Sequence, residues 1–155
     1  MDFIAEGLQK GLELIFTADT EVYSIVRLSL YVSAFATCIS VLIGVPLGSL
    51  IALKPFPFKK IVISLVNTGM GLPPVVVGLF VMLFLARSGP LSFLGWLYTP
   101  AGMVLAQVII ATPVVTGLTV SAMQSLDPKF YMQVLTLGAS ERQAMWVSLR
   151  QIHMA

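Results

Sequence analysis

Two sets of residues in this sequence have types and spacings that suit action on a solute or a partner. The first lies inside long apolar runs: Asn67 and Thr68, the run Gly71-Leu72-Pro73-Pro74, and Thr112-Pro113. Asn and Thr offer uncharged donors and acceptors. Proline removes a backbone donor and clashes with the preceding turn. Broken backbone at membrane depth is tolerated where it packs in protein or lines a water-filled path. The chemistry on offer is weak, neutral contact with a passing solute. Ordinary kinks and interhelical hydrogen bonds, with Gln107 in the same role, fit these residues equally. The second set is VLTLGASERQAMW, residues 134–146, where polar residues gather around Gly138.

The apolar runs carry no acidic or basic side chain. No Asp, Glu, Lys, Arg or His occurs within 28–53, 61–86 or 101–124. Ion- and proton-coupled carriers place ionisable groups there, so any energy for transport is expected to enter elsewhere.

The elements that carry these residues belong in lipid. The 155 residues are 57% hydrophobic and 10% charged, with mean hydropathy +0.95, against about a quarter charged in a soluble domain. A net charge of +2, with no basic cluster in an aromatic pattern, excludes a nucleic-acid partner. Cys38, the single cysteine, has no intramolecular disulfide partner and reads as a small lipid- or helix-facing side chain.

The uncharged stretches predict three membrane spans, about 28–53, 61–86 and 101–124, within a transmembrane domain over 21–126. GVPLG at 44–48, GLPP at 71–74 and TP at 112–113 interrupt them as helix breakers. SGPLSFLGWLYTP, residues 88–100, is expected at the interface, with Trp96 and Tyr98 in an aromatic belt. Lys54, Lys59, Lys60, Lys129, Arg142 and Arg150 lie on one side of these spans, and only Lys10, Arg27 and Arg87 on the other. The positive-inside rule then puts the 54–60 loop and residues 127–155 in the cytoplasm and the N-terminus outside.

Residues 1–20 are expected to form an external amphipathic helix, with Ile4, Leu8, Leu12 and Ile15 at helical spacing. A solvated leader to the first span is the other reading. In the cytoplasmic segment, Asp127 followed by Pro128 predicts a capped helix start. That helix is expected to run to Leu137 and stop at Gly138. Ser140 then begins a second helix, and Gln143 completes a capping box. A short hinged helix of this kind suits a groove on a partner.

TLGAS at 136–140, followed by a second amphipathic helix, resembles the cytoplasmic coupling loop of ABC importer permeases. The loop pattern of that family is E-A-A, three residues, Gly, nine residues, then I-x-L-P. Gly138 matches the glycine, whereas Met132, Gln133 and Val134 depart from E-A-A, and Ser148, Leu149, Arg150 and Gln151 depart from I-x-L-P. NTGMGLPPVVVGL at 67–79, SGPLSFLGWLYTPAGMVLAQ at 88–107, Leu149-Arg150 and the N-terminal FIAEGLQKGLELIF look like the tungstate-type permeases of the molybdate/tungstate/sulfate branch.

The resemblance implies an all-α polytopic membrane bundle of the type I importer kind, with three of about five spans present and a cytoplasmic coupling helix. It implies a homodimer, an ATPase subunit below each half that holds ATP and Mg, and an external oxyanion-binding protein. By that analogy Leu135, Thr136, Leu137, Gly138, Ala139, Ser140 and Gln143 couple to the ATPase in one helix. Asn67, Thr68, Gly71, Pro73, Pro74, Thr112 and Pro113 are the pathway candidates, and the resemblance implies no catalytic residue and no metal in this chain. The cargo is a tetrahedral oxyanion, tungstate first, with molybdate or sulfate as alternatives. The family continues beyond the position of Ala155, so a fragment or a truncated product, unable to transport alone, is expected.

Other classes compete with this reading. Residues 127–155 would also suit an amphipathic tail resting on the inner leaflet through Ala144, Met145, Val147 and Leu149. A small self-associating pore has no need of the hinged loop. An assembly subunit of a membrane complex fits the hydropathy but not the interrupted spans.

Overall fold

The structure is a computed structural model that describes residues 20–125 and 128–152, together with positions 4, 6, 7, 11 and 14. Most of the external helix expected over 1–20, and the cap expected at Asp127, lie outside the described residues. The described elements are all helical: α1 (Thr20–Leu53), α2 (Lys59–Met70), α3 (Pro74–Leu85), a short 3-10 turn (Ser92–Leu94), α4 (Pro100–Gln124), α5 (Pro128–Thr136) and α6 (Glu141–Ile152). At 1.5 Å per residue α1 is about 51 Å long and α4 about 37 Å, so each exceeds a hydrocarbon core of about 30 Å. Both are apolar enough to cross a membrane, and α2 with α3 supplies a third crossing if the bent pair is one span.

The middle span is interrupted at GLPP, where a helix breaker was expected. α2 and α3 are separate helices bent by 95° at their junction. Pro73 and Pro74 have no N–H, so the carbonyls of Gly69 and Met70 lose the donors that a continuing helix would supply. The Gly71 amide turns back to the carbonyls of Asn67 and Thr68 at 3.2 and 3.1 Å, which closes α2. GVPLG and Thr112-Pro113, by contrast, do not break their helices: Pro46 and Pro113 lie inside α1 and α4. One missing donor does not end a helix that is held along its length by a neighbour.

That neighbour is visible in the packing. Val32, Ala36, Ser40, Gly44 and Gly48 are buried along α1 at four-residue spacing, one face of the helix. Gly44 meets Thr112 and Val115, and Gly48 meets Thr116 and Thr119, so α1 and α4 run parallel. A Cβ on Gly48 would stand 2.6 Å from Thr119 Cβ and 2.7 Å from the Thr116 carbonyl oxygen. Apolar burial gives little driving force between helices in lipid, so close backbone approach through small residues supplies the attraction. Three hydroxyls at this seam turn into their own helices, whereas the buried Ser40 hydroxyl has no hydrogen-bond partner among the described residues. Ser49 Oγ donates to the Val45 carbonyl at 2.8 Å, and Thr116 and Thr119 donate to Thr112 and Val115 at 2.7 and 2.8 Å. Cys38 is exposed on the opposite side of α1.

A second cluster holds the return limb. Val77, Val81 and Leu85 of α3 pack against Leu105, Ala106 and Ile110 of α4 and against Leu91, Leu94 and Leu97. The 88–99 connection is therefore folded onto the helices through its leucines, while Tyr98 stands 82% exposed. At the other end Lys59 Nζ donates to the Ala52 carbonyl at 2.7 Å and to the Lys54 carbonyl at 3.3 Å. A cation on the last carbonyls of α1 satisfies orphan acceptors and opposes the negative end of the helix dipole.

Candidate functional site

The polar segment after α4 folds as a corner of two helices. α5 ends at Thr136, one residue before the expected stop, and Gly138 takes φ +90. The Ala139 amide donates to the Val134 carbonyl at 3.3 Å and the Gly138 amide to Leu135 at 3.0 Å. This is the paired bond of a Schellman end, and it needs a residue that accepts the left-handed conformation. Ser140 then starts α6: its amide donates to Gln143 Oε1 at 2.8 Å, and the Gln143 amide donates to Ser140 Oγ at 3.4 Å. Two orphan donors are satisfied reciprocally, as in a capping box.

Leu135–Gln143 is therefore not the single coupling helix that the resemblance implied. It comprises the last turn of α5, a tight turn and the first turn of α6, because the left-handed glycine ends the helical bond pattern and the cap restarts it. Leu137, at the tip, is 87% exposed, and Trp146 of α6 is exposed as well, while Met132 lines the hollow on the span side. Arg150 lies over the Trp146 ring at 5.8 Å.

The inner side of the corner faces the spans. Ala144 and Ser148 are fully buried, and Ser148 Oγ donates to the Ala144 carbonyl at 2.8 Å. Lys54, just after α1, pairs with Glu141 at 2.9 Å, and this partner holds the lysine above its ordinary pKa. A hollow of about 660 Å³ between the helix ends is lined by Lys54, Lys59, Met123, Tyr131, Glu141 and Ser148. Packing of the Ala144–Ser148 face against protein does not suit a tail that rests freely on a leaflet.

The pathway candidates fall into two groups. Asn67, Thr68, Gly71, Pro73 and Pro74 are exposed around the break between α2 and α3. Pro113 joins them at the same depth, since a Cβ on Gly69 would lie 3.0 Å from Pro113 Cβ. Thr112 sits apart, half-buried on the α1 side, and its hydroxyl donates to the Val108 carbonyl at 2.7 Å. Residues not singled out from the sequence alone are Lys54 and Glu141. Opposite charges 87 positions apart carry no periodic signal.

Among the described residues no group of three or more metal-ligating side chains occurs. Residues 44–152 match the family described as binding-protein-dependent transport system inner membrane component. The chain is 36% identical over 152 residues to the tungstate uptake system permease protein TupB of Peptoclostridium acidaminophilum, covering 98% of this chain and 67% of that protein. A probable anion ABC transporter permease protein of Haloferax volcanii is 45% identical over 107 residues, 69% of this chain and 46% of its own. The tungstate uptake system permease protein TupB of Campylobacter jejuni is 28% identical over 155 residues, 100% of this chain and 65% of its own. The chain thus spans between about half and two thirds of the length of these relatives. The family match over residues 44–152 and the 36% identity to a permease over 98% of the chain make it a member of the inner membrane components of binding-protein-dependent transport systems.

Proposed function

We propose that the chain acts as the membrane-spanning subunit of an ATP-driven importer for a tetrahedral oxyanion, with tungstate as its cargo. The observation that carries this reading is the corner. Its turn is fixed by the Schellman and capping-box bonds, it presents an exposed Leu137 at its tip with Trp146 exposed on α6, and its inner face is pinned to the ends of the spans. A rigid turn with an apolar tip is suited to a cleft on an ATPase subunit. Residues 135–140 and Gln143 make that contact in this reading. Closure of the ATPase on nucleotide moves the corner as a unit and biases the spans between two states.

The remaining parts follow from the same reading. An external binding protein delivers the anion, two copies of the permease face each other in the bilayer, and ATP and Mg stay on the ATPase. The N-terminus is outside and residues 127–155 are cytoplasmic. The chain itself performs no covalent step; its residues bind, orient and release. Around the break, Asn67, Thr68, Gly71, Pro73 and Pro74 offer a dianion neutral contacts that do not trap it, while Pro113 and Thr112 pack behind them against α2 and α1.

The test is co-purification and uptake. The tagged chain, produced with the ATPase and binding protein of its system, is expected to retain the ATPase and to support ATP-dependent tungstate uptake in proteoliposomes. Excess molybdate or sulfate identifies the cargo by competition. Gly138→Val is expected to release the ATPase, and retention unchanged by it would sink the docking role of the corner.

A further inference from the structure

α2 is polar on one side through its whole length. Lys60, Ser64, Asn67, Thr68 and Gly71 are all exposed, and they recur at intervals of four, three, one and three residues. At 3.6 residues per turn these positions cover an arc of about 100°. The packing side lies opposite: Gly69 meets Pro113 of α4, and Val66 and Met70 meet Gly117. Between the two, Ile61 and Leu65 are exposed apolar side chains suited to lipid, 56% and 66% accessible. The helix thus has three sides: one on protein, one apolar, and one polar that begins at a lysine and ends at the break.

An amide and hydroxyls held in hydrocarbon without polar company are costly, so the polar side requires water or another polar surface. A seam between two copies would instead seat Ser64 and Asn67 against polar groups of the second copy, an outcome that disulfide formation between copies at Asn67→Cys detects. This side carries Asn67 in its middle and Lys60 at its end. We propose that it is the wall of a water-filled oxyanion path, with Ser64 and Lys60 as members that extend it from the break to the mouth. Thr68 Oγ1 donates to the Ser64 carbonyl at 2.9 Å, which leaves its oxygen as an acceptor, whereas the Ser64 hydroxyl and the Asn67 amide present donors. Lys60 stands outside the apolar stretch, where a cation raises the local anion concentration without trapping cargo at mid-membrane. The assignment rests on the permease reading above.

The probe is the anionic thiol reagent 2-sulfonatoethyl methanethiosulfonate, applied to inside-out vesicles that hold the whole transporter. With Cys38→Ser as background, Ser64→Cys, Asn67→Cys and Thr68→Cys are expected to react at least tenfold faster than Ile61→Cys and Leu65→Cys. Added tungstate is expected to slow the polar-side reactions and not the others. Equal, slow reaction on both sides overturns the proposal. So does ready disulfide formation between copies at Asn67→Cys without reaction with the sulfonate, because the side is then a dry interface. Fast reaction that tungstate, molybdate and sulfate all leave unchanged overturns the oxyanion path and leaves a wet face. Failure of the permease reading itself would appear separately, as loss of ATPase retention. For Lys60, Lys60→Gln is expected to raise KM for uptake several-fold with kcat kept and Lys60→Arg to restore it; equal loss in kcat for both would overturn its role at the mouth.

Discussion

Lys54 Nζ lies 2.9 Å from Glu141 Oε2, so the residue that follows α1 is tied to the first residue of α6. The contact joins the end of a span to the restart of the corner, across the hollow that both residues line. Glu141 also sits in the first turn of α6, where a carboxylate complements the helix dipole. The corner is thereby fixed from inside by Ala144 and Ser148 and from its edge by an ion pair.

Charge exchange tests that tie. Lys54→Glu or Glu141→Lys alone sets like charges against each other and is expected to loosen α6. The double exchange is expected to restore it. Hydrogen exchange at the Ala144 amide should rise about twofold to fivefold in each single variant, a small effect because exposed pairs are weak. The pair should withstand ordinary pH. Hydrogen bonding to Glu141, then its charge, raises the Lys54 pKa above the usual 10.5. A group whose folded pKa is raised contributes fully below its unfolded value and loses the contribution as pH rises through the folded one. Loosening on mild acidification to pH 6 through Lys54 would contradict this.

The seam between α1 and α4 depends on Gly48, whose missing side chain admits Thr116 and Thr119. Gly48→Val is expected to cost about 1–3 kcal/mol by overpacking, seen as a lower melting temperature in detergent micelles. Gly78 in α3 is the matched control, since a Cβ there would meet nothing within 4 Å. Gly78→Ala is expected to be neutral or to stabilise by about 0.5–1 kcal/mol. Equal destabilisation by both would show that space at Gly48 is not the cause.

Gly138 and Ser140 can be separated by their physics. At φ +90, Gly138→Asn is expected to be milder than Gly138→Ala or Gly138→Val, since a left-handed non-glycine residue costs about 1–2 kcal/mol and Asn pays least of it. Ser140→Ala removes one cap and is expected to cost about 1 kcal/mol, with fraying confined to the first turn of α6. Amide exchange resolved along 137–146 distinguishes a lost turn from a lost cap.

Much of this was legible in the sequence, for physical reasons. The span 101–124 and α4 agree to within a residue because proline at N1 and uncharged hydropathy both mark them. The Gly138 turn and the Ser140–Gln143 box were readable because short-range bonds decide them. Prolines 46 and 113 were not, since whether a proline ends a helix depends on a neighbour far along the chain. Lys54–Glu141 and the Gly69–Pro113 contact are likewise products of the packed fold. The polar side of α2 was present as spacing, but only the position of α4 shows that it faces away from protein.

The break between α2 and α3 yields the last expectation. Pro73 and Pro74 remove consecutive donors, and Gly71 ends α2 with its amide turned back to Asn67 and Thr68. Replacing both prolines with alanine returns two N–H groups and improves helix propensity by about 3 kcal/mol for an interior proline. The flanking sequence is helix-compatible on both sides, so the Pro73→Ala, Pro74→Ala variant is expected to straighten the 95° bend toward one helix from Lys59 to Leu85. Spin labels at Leu65 and Leu79, exposed positions on the two limbs, would then move apart in pulsed electron resonance. Val77, Val81 and Leu85 hold α3 on α4 independently, so a label distance that stays fixed would mean that this cluster, and not the prolines, sets the angle.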